Sequence, residues 1–141
     1  MENILKRTIR VLVAMCLVVL LVLLSAGTAL AALPLIVGTN SGEQINGTKS
    51  AEEIRGLEGS EEISDGLGAD LVYGGIGADN LIGTASDTSV DRFYGGSGND
   101  IVQPGDVPAV KDVVGCGGGT DTVYADKADV VGGDCERVRV R

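Results

Sequence analysis

The sequence predicts an all-β fold: a right-handed parallel β-roll (a β-solenoid) of nine-residue repeats, closed by a small disulfide-tied cap at the C-terminus. Three observations predict it. An acidic residue recurs at one slot of a nine-residue frame. An apolar residue follows it two positions later, ten times over. Glycine, at 22 of 141 positions, is about twice as frequent as the ~7% of ordinary chains, and it gathers at the start of the frame.

Residues 1–31 come first and are unlike the rest. Lys6, Arg7 and Arg10 precede an uninterrupted apolar run over 11–24, and Ala29-Leu30-Ala31 follows. A basic start, a short apolar stretch and an A-x-A site are the pattern of a secretory signal peptide, with cleavage expected after Ala31. The other reading is a retained anchor, but the run is short for a ~30 Å hydrocarbon core. Cys16 lies inside the run and is discarded with it. The chain has a net charge of -9. Loss of the leader removes three cations and one acid, which makes the remainder more acidic still. Such a chain repels itself and has few bulky side chains. Without a counter-ion its composition is closer to a disordered segment than to a globular domain.

A short lead-in, 32–37, is followed by the repeats, 38–124. The units begin GTNSGEQIN, GTKSAEEIR, GLEGSEEIS, DGLGADLVY and GGIGADNLI. Units at 83–94 and 104–115 each carry three extra residues, and the frame then resumes. The sixth slot holds Glu43, Glu52, Glu61, Asp70, Asp79, Asp91, Asp100, Asp112, Asp121 and Asp129. The eighth holds Ile45, Ile54, Ile63, Val72, Leu81, Phe93, Val102, Val114, Val123 and Val131. The first six positions of each unit are read as turn, because glycine permits positive φ and close backbone approach. The last three are read as a short strand with one inward side chain. One apolar residue per unit cannot bury a core alone, but stacked coils of two units can.

Gly74-Gly75-Ile76-Gly77-Ala78-Asp79-Asn80-Leu81 and Gly95-Gly96-Ser97-Gly98-Asn99-Asp100-Ile101-Val102 fit G-G-x-G-x-D-x-U at every fixed position. The segments from Asp65 and from Cys116 depart at the first slot only. These units resemble the hemolysin-type calcium-binding repeat of the RTX (repeats-in-toxin) proteins. The resemblance implies Ca2+ between turns on the same side, held by loop carbonyls and sixth-slot aspartates. It carries over to Gly74, Gly75, Gly77 and Asp79; to Gly95, Gly96, Gly98 and Asp100; to Gly117, Gly119 and Asp121; and to Asp70. The chemistry agrees, because Ca2+ takes six to eight oxygens from carboxylates and carbonyls. Soft or imidazole-preferring metals find nothing arranged for them in a chain without histidine.

Two units per coil put alternate acids on opposite sides. Glu43, Glu61, Asp79, Asp100 and Asp121 share one side. Glu52, Asp70, Asp91, Asp112 and Asp129 share the other, with both insertions. The best-formed sites are expected on the first side, between Asp79 and Asp100 and between Asp100 and Asp121. The glutamates of the early units are read as a solvated acidic rim.

The segment 125–141 is the expected cap. Cys116 and Cys135 read as a disulfide in a small exported domain, with two free thiols as the alternative. Arg137, Arg139 and Arg141 alternate with valines, as in an edge strand with a charged outer face.

The absence of histidine removes imidazole bases and Ser-His-Asp or Cys-His nucleophiles. The acidic balance argues against nucleic acid. The acids recur at the repeat interval rather than as one unique pair, and no insertion is long enough to build a substrate cleft, so no enzyme is expected. The expected role is a secreted, calcium-binding repeat protein that folds on its ion, with no membrane contact once the leader is removed. The alternative is a cell-envelope or matrix adhesion protein in which calcium is only structural.

Overall fold

The computed structural model describes residues 32–105 and 108–141. The expected leader, 1–31, lies outside the described residues. Every regular element among the described residues is a strand. Six form one parallel sheet: β1 (Leu35–Val37), β3 (Glu53–Glu58), β5 (Leu71–Ile76), β7 (Arg92–Ser97), β9 (Val113–Gly118) and β11 (Val130–Val131). The other six form a second: β2 (Gln44–Asn46), β4 (Glu62–Ser64), β6 (Asn80–Ile82), β8 (Ile101–Gln103), β10 (Thr122–Ala125) and β12 (Arg137–Val140). The chain alternates between the sheets, one strand in each per turn. The result is a β-solenoid of about six turns.

The register shows why the repeat builds this shape. Ile54 pairs with Val72 and Ile63 with Leu81, one 18-residue coil later. Val72 then pairs with Phe93, and Leu81 with Val102, at an interval of 21. Both insertions fall in connections from the second sheet to the first, 83–91 and 104–112. They leave the opposite side free to stack without interruption.

The eighth-slot side chains form the core. Ile54, Ile63, Val72, Leu81, Phe93, Val102 and Val123 are fully buried, Ile45 and Val114 nearly so, and Val131 packs against them at the end. Each fully buried aliphatic contributes about 1.5–3 kcal/mol. The first slot is a second inward column, of small residues: Gly56, Gly74, Gly83, Gly95, Pro104, Cys116 and Ala125 are all buried there. Small residues are required because a Cβ on Gly74 would stand 2.6 Å from the Gly95 carbonyl of the next coil.

Two sequence expectations are refined. The lead-in supplies a rung of its own, because β1 pairs in register with β3. The glycine-rich half of the unit is not wholly turn. On the first sheet β5, β7 and β9 run through the first three slots, so that Gly75, Gly96 and Gly117 pair with one another. Positive φ at these glycines (118°, 113° and 95°) bends each strand without breaking its pairing. The side free of insertions keeps successive coils close enough for that.

The end of the solenoid is closed by chemistry as well as by chain. Cys116 and Cys135 are joined in a disulfide, with Cα atoms 5.2 Å apart. Asp134 Oδ2 accepts the Gly117 N–H at 2.8 Å and the Cys116 N–H at 3.1 Å. β12 covers β10 with its arginines in line, Val123 opposite Val138.

Candidate metal centre

The acidic slot builds two ladders, one along each side. On the first, Asp79 Oδ1 accepts the Glu61 N–H at 2.9 Å, and Asp100 Oδ1 accepts the Asp79 N–H at 2.9 Å. Asp121 then accepts the Asp100 N–H at 2.8 Å. On the second, Asp70, Asp91, Asp112 and Asp129 each accept the N–H of the acid one coil earlier, at 2.7–3.1 Å. Aspartate suits this place because its short side chain reaches the next backbone while staying buried.

One oxygen per carboxylate is used in this way. The other is left over in most of them, though Asp129 Oδ2 accepts the Asp126 N–H at 2.7 Å. The second oxygens of Asp70, Asp79, Asp100, Asp112 and Asp121 are buried without a hydrogen-bond partner, as are Asp65 Oδ2 and both oxygens of Glu61. Burying a carboxylate without a partner is costly. Burial raises Asp100 to about 6, with the Asp79 and Asp121 carboxylates adding to it. It lifts Glu61 to about 7, helped by Asp79 and Glu43.

The first side offers carbonyls beside these oxygens. A Cβ on Gly74 would lie 2.5 Å from Asp79 Oδ2 and 2.6 Å from Gly95 O. A Cβ on Gly95 would meet Asp100 Oδ2 and the Cys116 carbonyl in the same way. The glycine leaves an oxygen-lined cradle that any side chain would fill. Gly77, Gly98 and Gly119 stack below at φ 147°, 140° and 148°. The Gly77 N–H is donated to Ser97 O and the Gly98 N–H to Gly118 O, so their N–H groups are already spent. The polar atoms nearest each cradle are carboxylate and carbonyl oxygens, which fits a hard cation. The last loop differs, since Asp134 already occupies the Gly117 N–H.

Glu52 and Glu61 are not part of a solvated rim, whereas Glu43 is half-buried. Glu52 and Glu61 are 2% exposed. The Glu52 carboxylate turns back onto its own unit and takes the Thr48 N–H at 2.9 Å and the Thr48 hydroxyl. Glu43 does the same with Thr39. The extra methylene lets glutamate reach its own turn. Glu61 has Leu57 where those units have threonine, and is left unpartnered.

The second side holds a closer grouping of acids. Asp65, Asp70 and Asp91 each bring a carboxylate oxygen within 4.8 Å of the other two. All three are buried, at 0%, 1% and 1% exposure. Burial pushes Asp65 up to about 7, with Asp91 and Asp70 adding to it against the Thr84 hydrogen bonds. Burial likewise takes Asp91 to about 7, with Asp112, Asp87 and Asp70 adding. It takes Asp70 to about 6. This acidic cluster can hold a metal ion. The motif points to Asp70 as a ligand; it does not point to Asp65 or Asp91. The signal is nonetheless present at Asp65, which stands where the motif has its first glycine.

Asp87, from the first insertion, is also buried, at 4%. Its Oδ2 accepts the Gly68 N–H at 2.7 Å, and Oδ1 accepts the N–H groups of Thr88 and Ser89. Burial raises this carboxyl, but those N–H groups outweigh it and hold Asp87 below the ordinary range.

No family model matches the chain, and neither the curated proteins nor the solved structures contain a significant match.

Proposed function

We propose that this is an exported calcium-binding repeat protein, of the RTX-like kind its motifs resemble, whose coils order around Ca2+. One observation carries the reading: the two acidic ladders leave seven buried carboxylate oxygens without partners, and Asp65 adds an eighth. A polypeptide does not bury so many unpaired acceptors without a cation to receive them. Oxygen-only donors and flexible glycine carbonyls suit Ca2+ better than Mg2+, which keeps its waters and an octahedron. Asp79, Asp100 and Asp121 with the loop carbonyls would hold ions on the first side. The ions would supply charge neutralisation and no chemistry, and the proposal includes no catalytic step. Because the apo chain is strongly acidic, binding free energy becomes folding free energy. The leader and the disulfide support an oxidising, calcium-rich location outside the cell.

The test is a calcium titration of the purified chain followed by far-UV circular dichroism. β-sheet signal should appear with a midpoint of ~10⁻⁴–10⁻³ M, the range of extracellular calcium modules. A chelated sample at neutral pH with full sheet signal and a cooperative melt would sink the proposal.

A further inference from the structure

The acidic trio on the second side is not a glycine cradle. Asp65 occupies the first slot, the inward column of small residues. The stacking is visible in the backbone. The Asp65 N–H is donated to Ile82 O and the Gly83 N–H to Gln103 O, and a Cβ on Gly47 would collide with Asp65 O. In this column Asp65 stands between Gly47 and Gly83, with Pro104 and Ala125 beyond. It is the one ionisable residue there. Its side chain is fully buried, in a corner where its stacked neighbour Gly83 has no side chain. Oδ1 accepts the Thr84 N–H at 2.9 Å, while Oδ2 has no partner. Asp70 Oδ2 beside it has none either.

Three buried carboxylates converge here, two of them on adjacent rungs of one ladder and the third from the core column. The corner is also pre-built. Thr84 and Asp87 tie the inserted loop down onto the 65–70 turn through Asp65 and Gly68. We propose that Asp65, Asp70 and Asp91 form a divalent-cation site of their own, set inside the corner of the solenoid, and that it binds more tightly than the glycine cradles. Oxygens within 4.8 Å of one another stand close to the spacing of three ligands on one Ca2+, whose Ca–O distances are about 2.3–2.6 Å, and a shift of a few tenths of an ångström on binding closes them onto one ion. Affinity for Ca2+ rises with the number of charged ligands and with rigidity. This corner brings three carboxylates to one ion. Each cradle on the opposite side pairs one free aspartate oxygen with carbonyls. The inference rests on the calcium reading for the identity of the ion, and on Asp65 for the site.

Calorimetry with CaCl2 on the full chain tests it, comparing wild type with Asp65→Asn, Asp65→Gly and, on the opposite side, Asp100→Asn. The wild-type isotherm should open with a tight phase of about one ion per chain, at least about tenfold stronger than the later, weaker phase. Asp65→Asn keeps an acceptor for the Thr84 N–H and should abolish that tight phase. Asp100→Asn should retain it. Asp65→Gly restores the residue found on either side in the column, and gives the same reading if the Asn variant does not fold. A second readout has opposite signs in the two conditions. In calcium both Asp65 variants should lower the Tm. In chelator they should retain more sheet signal than wild type, because the buried carboxylate oxygen without a partner has gone. A tight phase that survives both Asp65 variants overturns the site, as does a loss of stability that is equal with and without calcium. A wild-type chain that binds no calcium overturns the calcium reading as well. A chain that binds calcium equally with and without Asp65 overturns this site alone.

Discussion

Glu136 Oε2 accepts the backbone N–H of Asp121 at 2.9 Å. Asp121 performs the same service for Asp100 one coil earlier. The ladder on the first side therefore ends on a residue of the cap, not on another repeat. The interval shortens there, since Thr122 pairs with Arg137 only fifteen positions on. Glutamate supplies the reach that a full coil would have given to aspartate.

Glu136→Ala should leave the buried Asp121 with an unpaired amide. Glu136 itself is exposed, so the expected loss is about 1.5 kcal/mol, at the lower end for a hydrogen bond to a charged group. Amide hydrogen exchange at Asp121 and Thr122 should quicken while exchange at Val72 and Leu81 stays unchanged. Uniform quickening along the solenoid would mean the cap does not act locally.

The disulfide constrains the same end from the other direction. Cys116 and Cys135 are 19 residues apart. Closing a loop of that length is worth about 3 kcal/mol in the chain-entropy account. Cys135→Ser should lower the Tm with calcium present and expose the segment after Asp121 to proteolysis. An unchanged Tm would show that Asp134 and Glu136 hold the cap without the bond.

The coil, the core and the ladder geometry were legible in the sequence because each depends on one slot. The eighth slot gave the core from Ile45 to Val123, and the position of the insertions gave the jump from 18 to 21 residues between paired strands. The sixth slot gave the acids but not their partners. Whether Glu52 faces water or folds back onto Thr48 depends on one methylene and on the residue four places before it. The acidic trio was hidden for a different reason. Asp65 reads as a damaged glycine motif when the repeat is compared with itself. Only the stacking of coils brings it to Asp91, 26 positions on.

Leu57 pairs with Gly75 and takes a φ of 86°, the one non-glycine residue with positive φ among those described. A left-handed conformation costs an L-residue about 1–2 kcal/mol. Leu57 is 39% exposed, so little packing is lost on removing it. Glycine returns about 0.5–1 kcal/mol in backbone entropy. Leu57→Gly should therefore stabilise the calcium-loaded chain by up to about 1 kcal/mol, while Leu57→Ala should not. A Tm that falls with glycine would show that the exposed leucine packs more than its conformation costs.

Acid should do part of what calcium does. In the folded, metal-free chain burial lifts Asp65, Asp91 and Glu61 to about 7 and Asp70 and Asp100 to about 6. In the unfolded chain the same carboxyls titrate at about 4. Between those values the folded chain binds protons that the unfolded chain has released. Stability of the metal-free fold must then rise as pH falls from about 7 toward about 4, and be lost again as pH climbs through the raised values. The direction is opposite to that of a carboxylate paired with a cation, whose stabilisation disappears on acidification. A chelated sample should gain sheet signal by circular dichroism when moved from pH 7.5 to about pH 5. Calcium affinity should fall over the same interval, because protons and ion compete for the same oxygens. Asp65→Asn removes one of the highest of these titrations, so its acid-induced gain should be smaller than that of the unmodified chain. A metal-free chain that loses sheet signal steadily on acidification from pH 7.5 would show that these carboxyls are not buried uncharged in the absence of the ion.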